Sequence, residues 1–220
     1  MIYIIRIIHT LHDSHHIARQ AAGRTNTMGH SREAKADSRE RILAAASQQI
    51  REQGLDGIGV AEVMRSAGLT HGAFYAHFPS RAALLAEALE RALRDGIDAS
   101  DNATRRSSRP PLERLVRSYL SATHRDAVGE GCAISALAGE AARAEDDLCN
   151  IMRDQVERLV DETAAMIGEG EAARRSAVAA WCTMVGAVTL SRLFKGQDEA
   201  DGILVAAREA ILANSAPSST

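Results

Sequence analysis

Aromatic side chains are scarce in this chain of 220 residues, which has three Phe, three Tyr and one Trp. Proline and glycine are also limited, at 4 and 16 residues, and this excludes a collagen-like or proline-rich disordered chain. The remaining composition, 45% hydrophobic and 25% charged, is typical of a globular protein. At this length we expect one domain, or two small domains that share a core.

Cysteines and long apolar runs are limited as well. Cys132, Cys149 and Cys182 are odd in number and widely spaced, so they predict neither a disulfide framework nor a CxxC metal site. A reducing cytoplasm is the simplest setting for them. The longest uncharged run, residues 176–191, is shorter than the roughly 20 residues that a membrane-spanning helix needs. We therefore predict no membrane span.

The first thirty residues differ in composition from the rest of the chain. They lack the basic segment and the small-residue cleavage site of a signal peptide. His12 and His16 have the i, i+4 spacing of helical metal ligands, but we interpret them as incidental and expect neither a metal site nor a cofactor. Met28 is a more natural start, and we predict that residues 1–27 are a dispensable leader or upstream extension.

From Ser38 onwards the apolar residues recur with the period of a helix. Ser38 is predicted to cap the first helix, and Gly54 is predicted to end it. Further helices are expected at about residues 60–67, 70–77, 80–93, 110–126, 132–143, 146–167, 171–195 and 198–213, with a linker at 96–109. Strand-like alternation does not persist anywhere in the sequence. The predicted fold class is therefore all-α.

Two of these predicted helices are short and are joined by the tight turn Ala67-Gly68-Leu69. Their lengths and the glycine in the turn are typical of a helix-turn-helix. On a helical wheel, Phe74 and Phe78 of the second helix point inward together.

The opposite face of the second helix has almost no side-chain atoms, because it presents Gly72 and Ala76. Such a face can approach the floor of a DNA groove closely. Thr70 and His71 lie at the start of the helix, where free backbone N–H groups favour a phosphate. Tyr75 lies on the flank, from which its hydroxyl can contact a phosphate oxygen.

Residues 68–81, GLTHGAFYAHFPSR, preceded by RILAAA at residues 41–46, resemble the N-terminal domain of TetR-type transcriptional repressors over about residues 38–90. The resemblance implies a three-helix helix-turn-helix DNA-binding domain at residues 28–80 and a helical effector-binding and dimerisation domain at residues 81–220. It also implies a function. The protein would be a repressor whose dimer reads a palindromic operator in the major groove and is released by a small effector.

By position, the resemblance implies DNA contacts from Thr70, His71, Gly72, Ala73, Tyr75, His77, Arg81 and Arg39. Many relatives have lysine where this chain has His71. Residues 28–80 contain six basic and six acidic side chains, so the domain is neutral. Binding must then depend on where a few arginines project, and on a dimer that doubles the site.

The C-terminal half contains the candidate dimer interface and effector pocket. The apolar helices at about 171–195 and 198–213 are predicted to form a four-helix interface between two copies. Bulky or adaptable residues between helices are candidate pocket residues, namely Tyr119, Cys132, Glu140, Cys149, Met152, Met166 and Trp181. Because three of the seven aromatics lie in the predicted recognition helix, we expect a pocket lined mainly by aliphatic, Met and Cys side chains.

Three alternatives remain open at this point. Cys132 is a candidate sensor of thiol oxidants or electrophiles, so the regulator could respond to a reactive compound. A helical enzyme would need a clustered nucleophile and base or a set of metal ligands. Outside the first thirty residues only His71, His77 and His124 remain, and the HExxH motif is absent, so we predict that the chain is not an enzyme. The third alternative is a helical interaction module without DNA binding.

Overall fold

The computed structural model describes residues 15–104 and 107–214, and it describes side chains in residues 32–96 and 107–214. These parts of the chain contain nine α-helices, one 3-10 helix and no strand. The helices are α1 His15–Gln53, α2 Val60–Ser66, the 3-10 helix His71–Ala76, α3 Arg81–Thr104, α4 Pro111–Tyr119, α5 Ala122–Asp126, α6 Ala133–Ala141, α7 Asp146–Ile167, α8 Gly170–Leu193 and α9 Asp198–Asn214. The prediction of an all-α fold is confirmed.

Two compact units divide the chain, residues 1–40 and residues 41–220. The described part of the first unit is helical, and its residues 32–37 are exposed. Ser38 does not cap α1 as predicted, because the helix already runs through this position. Its hydroxyl instead donates to the carbonyl oxygen of Ala34, 2.8 Å away, as serines inside helices do. His12 lies outside the described residues.

In the helix-turn-helix part of the second unit, α1 and α2 contribute buried residues to one hydrophobic core. Ile42, Ile50 and Met64 are fully buried and pack with the two phenylalanines that follow the turn. Phe74 and Phe78 stack with their ring centroids 5.9 Å apart, which confirms that both point inward. The core of this domain is therefore as predicted.

The predicted linker at 96–109 is mostly helical, because α3 continues to Thr104. Gly96 does not end the helix. A Cβ on Gly96 would lie 3.4 Å from the Cα of Cys132, so the glycine allows α3 to approach the start of α6 closely. Leu137 and Met152, from α6 and α7, belong to the same hydrophobic cluster as α3. The helix-turn-helix part and the C-terminal helices of this unit thus share a core.

The predicted helix at 110–126 is two helices in the structure, since the chain turns at Leu120. Ser121 begins α5, and its hydroxyl accepts a hydrogen bond from the backbone N–H of His124 at 3.2 Å. The break matters for function because it turns the side chain of His124 towards α6, where it meets Cys132.

Among the described helices, α8 has the length and apolar content of a membrane-spanning helix, with a mean hydropathy of 1.3. It packs against α7 and α9, and Trp181, Met184 and Val188 are buried in this contact. The indole N–H of Trp181 donates to Thr163 Oγ1 at 2.9 Å. Packing inside the fold buries part of the apolar surface of this helix, while Val178, Leu190 and Leu193 stay exposed.

Candidate functional site

The helix-turn-helix is held in shape by hydrogen bonds from α1. Gly68 has a φ of +72°, in the left-handed region that favours glycine, and this lets the chain reverse directly after α2. Arg41 Nη1 donates to the carbonyl oxygen of Ala67 at 2.8 Å, and Gln49 Nε2 donates to Ser66 Oγ at 2.9 Å. The turn that orients the second helix is therefore fixed by two side chains of the first.

The second helix is a 3-10 helix and not the α-helix that the sequence predicts. The backbone N–H of Ala73 donates to Thr70, and that of His77 donates to Phe74, both across three residues. We call residues 70–77 the recognition segment. Its exposed residues are Thr70, His71, Gly72, Tyr75 and Ala76, whereas Ala73 and His77 are half-buried. Ala73 packs against the core, so the structure turns it further inward than the sequence predicts.

Two residues of the recognition segment are not explained by packing inside the chain. A Cβ on Gly72 would meet no described heavy atom within 4 Å, and its φ is not in the left-handed region. Tyr75 is 75% exposed, and one edge of its ring lies against Phe74 with centroids 5.2 Å apart. An open glycine beside an exposed, oriented tyrosine leaves both the backbone and a hydroxyl accessible to a partner.

The two predicted arginine contacts differ in their surroundings. Arg81 begins α3, and its Nη2 donates to the carbonyl oxygen of Leu55 at 2.8 Å. The same nitrogen also lies 3.3 Å from the carbonyl oxygen of Ile58, so Arg81 secures the loop between α1 and α2. Arg39 lies on α1 within the first unit and is half-buried. A DNA contact by either residue stays a prediction.

The second unit contains a cavity of about 570 Å³, which is lined by residues of the helices α3 to α8 and of the segments between them. Of the predicted pocket residues, Tyr119, Cys132, Met166 and Trp181 line it. The rings of Tyr119 and Trp181 are nearly perpendicular, at 85°, with centroids 5.4 Å apart. The volume falls in the range of roughly 300–1,000 Å³ that is typical of small-molecule sites. Two of the lining side chains are therefore aromatic, whereas the sequence predicts a lining mainly of aliphatic, Met and Cys side chains.

Glu140, Cys149 and Met152 lie outside the cavity lining, unlike the other predicted pocket residues. Met152 is buried in the core that α7 shares with α3. Cys149 is half-buried near the start of α7, where Arg153 Nη2 lies 3.7 Å from its sulfur. Glu140 Oε2 accepts the backbone N–H of Leu55 at 2.7 Å, so this carboxylate joins α6 to the loop after α1.

His124 is the most connected polar residue of the cavity wall. Its Nε2 accepts the backbone N–H of Cys132 at 2.9 Å. Its Nδ1 lies 2.6 Å from the carbonyl oxygen of Tyr119, so Nδ1 carries the proton and donates it. Burial lowers the pKa of His124, the bond to Tyr119 opposes this, and nearby Arg192 adds to the lowering. The imidazole is therefore held neutral, in one tautomer.

The hydroxyl of Tyr119 and the amide of Gln155 are buried polar groups of the same wall. Burial is the main cause that holds the pKa of Tyr119 well above its usual range, and the Cys132 thiol adds to it. Gln155 is 5% exposed on α7, and its Nε2 meets no hydrogen-bond partner among the described residues. Sequence reasoning missed Gln155. One signal in the sequence could have found it, because Gln155 is a polar residue on the same helix face as Met152, Leu159 and Thr163 of α7, which point inward.

The arrangement defines the class of the protein. It is a helix-turn-helix protein with a helical domain that contains a cavity. Residues 42–88 match the family model described as bacterial regulatory proteins, tetR family. This match confirms, for the helix-turn-helix domain, the resemblance to TetR-type regulators seen in the sequence. Members of this family are regulatory proteins, in agreement with the prediction that the chain is not an enzyme.

Similar proteins extend the likeness beyond the matched domain. The HTH-type transcriptional repressor DhaR of Mycobacterium sp. is 25% identical, over 59% of this chain and 63% of its own length. The chain thus matches less than two thirds of that relative. The HTH-type transcriptional regulator Rv0196 of Mycobacterium tuberculosis is 27% identical, over 70% of this chain and 84% of its own.

Solved structures share the fold over most of the chain. A TetR transcriptional regulator from Chloroflexus aurantiacus superposes with a TM-score of 0.71, at 20% identity, over 82% of this chain and 95% of its own. At this identity the likeness concerns the fold alone. It nevertheless includes the C-terminal helices, which the family model does not cover.

Proposed function

We propose that the protein is a cytoplasmic, homodimeric transcriptional repressor whose recognition segments enter two successive major grooves of a palindromic operator. The observation that supports this most is the pairing of open Gly72 with exposed Tyr75, because a partner can reach the backbone of one and the hydroxyl of the other on the surface of the described part of the chain. Half-sites of such a dimer lie about 34–36 Å apart. Thr70, His71 and His77 are proposed as further contacts of the same segment, and Ala73 as an apolar one.

The dimer is proposed to form through α8 and α9. Exposed apolar residues on α8 recur at helical spacing, and they include Val178, Leu190 and Leu193, with Cys182 between them. Val205 of α9 is a further exposed apolar residue. Contiguous apolar surface of this kind marks protein interfaces. A second copy of the chain would cover it and would supply the second recognition segment.

Release by a small effector is proposed to act through the segment 127–132. One side of this segment lines the cavity, through Glu130, Gly131 and Cys132. On its other side, Arg51 Nε of α1 donates to the carbonyl oxygen of Gly129 at 2.6 Å. A ligand that displaces the wall would therefore move a hydrogen-bond partner of α1. Such coupling requires that the ligand bind the two states unequally.

A second candidate is a regulator that senses oxidants or electrophiles through Cys132. The thiol lines the cavity, and the guanidinium groups of Arg51 and Arg192 interact with it electrostatically. The two candidates are separated by Cys132→Ser, because this variant would abolish release by a reactive compound and keep release by a reversible ligand.

DNA binding is tested by selecting duplexes from a random-sequence pool with the full chain, and then measuring Kd at fixed salt. Tyr75→Phe removes only the hydroxyl, so we expect a loss of about tenfold or more. Gly72→Leu should abolish specific binding, because the leucine side chain would keep the recognition segment away from the floor of the groove. Gly139→Leu, at an exposed position of α6, is the matched control and should bind normally. Unchanged affinity in both test variants would remove this assignment.

A further inference from the structure

The polar groups of the cavity wall differ in whether the chain already uses them. The indole N–H of Trp181 is shared between Thr163 Oγ1 and the carbonyl oxygen of Leu159, at 2.9 and 3.1 Å. Both ring nitrogens of His124 are engaged with the backbone. These groups can contact a ligand only by giving up existing bonds.

Gln155 is different. Its side chain is buried in the wall, and its Nε2 has no partner within hydrogen-bond distance among the described residues. A buried donor of this kind is unfavourable unless an acceptor reaches it, and such groups are rare in folded proteins. Gln155 lines a 570 Å³ cavity. Because Nε2 itself is covered, the amide has to rotate towards the cavity before a bound molecule can supply the acceptor.

Charge in the lining gives a second constraint. Three arginines, Arg109, Arg114 and Arg117, are accompanied by Glu130 and Glu162. Arg109 Nη1 and Arg117 Nε each lie 2.7 Å from Glu113 Oε1, so two of the three guanidinium groups are already paired. The lining therefore presents little net charge to a ligand, and a neutral molecule fits it better than an anion.

The apolar part of the wall indicates the rest of the molecule. The perpendicular rings of Tyr119 and Trp181 form its aromatic part, and Leu93 and Leu159 are among its aliphatic side chains; hydroxyl, charged and amide side chains make up about half of the lining residues. Aromatic rings pack well in such edge-to-face surroundings. A ring-containing molecule of moderate size can use the apolar area together with the two buried lining groups that have no hydrogen-bond partner among the described residues, the amide of Gln155 and the hydroxyl of Tyr119.

We propose that the cavity binds an uncharged aromatic carbonyl compound, whose oxygen accepts a hydrogen bond from the side-chain amide of Gln155 while its ring packs against Tyr119 and Trp181. This inference deepens the proposed function, since it rests on the cavity being the effector site. It concerns the chemistry of the ligand and is measured without DNA.

The test uses three probes of similar size on the full chain: benzophenone, its hydrocarbon analogue diphenylmethane, and the anion diphenylacetate. Calorimetry should show benzophenone binding about tenfold more tightly than diphenylmethane, because only the ketone pairs with Gln155. In Gln155→Leu this preference should disappear, while diphenylmethane binds as before. Gln197→Leu, at an exposed position between α8 and α9, should behave as the unmodified chain.

Three results would overturn the inference. The first is equal affinity for the ketone and the hydrocarbon in the unmodified chain, which needs no variant to fold. The second is tighter binding of diphenylacetate, which would assign recognition to the arginines. The third is a photo-crosslink of benzophenone to a peptide outside the cavity wall. If benzophenone binds through Gln155 but leaves DNA affinity unchanged, the effector role fails and the inference on ligand chemistry stands.

Discussion

Arg51 of α1 donates from Nε to the carbonyl oxygen of Gly129 at 2.6 Å, and from Nη1 to the carbonyl oxygen of Ala92 at 3.1 Å. One guanidinium group thus joins α1 to α3 and to the segment 127–132 of the cavity wall. The residue is 6% exposed, and burial lowers its pKa, while Asp95 acts in the opposite direction. A Cβ on Gly129 would displace the exposed carboxylate of Glu52, which lies against this glycine.

Replacement of Arg51 by methionine should lower the free energy of unfolding by about 2–3 kcal/mol, because two buried carbonyl groups lose a charged donor while the apolar stem is kept. Urea unfolding measures this. Arg65→Met is the matched control: its side chain is 79% exposed and lies 3.9 Å from Glu62, so we expect a change below about 0.5 kcal/mol. Equal effects of the two substitutions would contradict the structural role of Arg51.

Glu140 forms the second connection between the two halves, through the backbone N–H of Leu55. Glu140→Leu leaves this donor without an acceptor and should destabilise the protein by about 1–3 kcal/mol. Glu140→Gln keeps an acceptor oxygen and should lose less. Thermal unfolding of both variants gives the comparison, and an equal loss in the two would show that the hydrogen bond is not what Glu140 contributes.

These two contacts show what local sequence patterns can and cannot predict. Phe74 and Phe78 were predicted correctly as core residues, because their spacing alone puts both on the buried side of a short helix. Arg51 was not singled out, because its partner lies 78 residues away and only the tertiary fold brings the two together. The helix break at Leu120 was missed for a related reason. The break turns His124 towards a backbone N–H on another helix, which no local pattern records.

The exposed apolar surface of α8 gives a prediction about assembly. Leu193 is 74% exposed and Val178 is 42% exposed, so Val178→Glu with Leu193→Glu should leave the monomer folded but prevent dimerisation. Sedimentation equilibrium measures the mass. DNA affinity should fall as well, because each half-site would be bound separately. Ala142→Glu, at the exposed end of α6, is the control and should remain dimeric. A monomeric unmodified chain would refute the assignment.

The proposal that residues 1–27 are dispensable is tested by a chain that begins at Met28. Residues 32–37 of α1 are exposed, and the first buried residue of the described part is Ile42. Shortening α1 before these positions should therefore leave the unfolding temperature and the DNA affinity within error of the full chain. A loss of DNA affinity with an unchanged unfolding temperature would instead assign the segment a role in binding.

His124 predicts how stability depends on pH. Its pKa is lowered from about 6.5 by burial, so between pH 6.5 and the folded-state pKa the unfolded chain binds a proton that the folded chain does not. The free energy of unfolding should therefore fall as the pH falls below 6.5. The total loss is about 1.4 kcal/mol for each unit by which folding lowers the pKa of His124. In His124→Asn, whose amide can still donate to the carbonyl oxygen of Tyr119, this part of the pH dependence should disappear. His71→Asn, at an exposed position, should keep it. Unfolding at pH 7.5 and 5.5 decides the matter, and an unaltered difference in His124→Asn would mean that another group causes the loss.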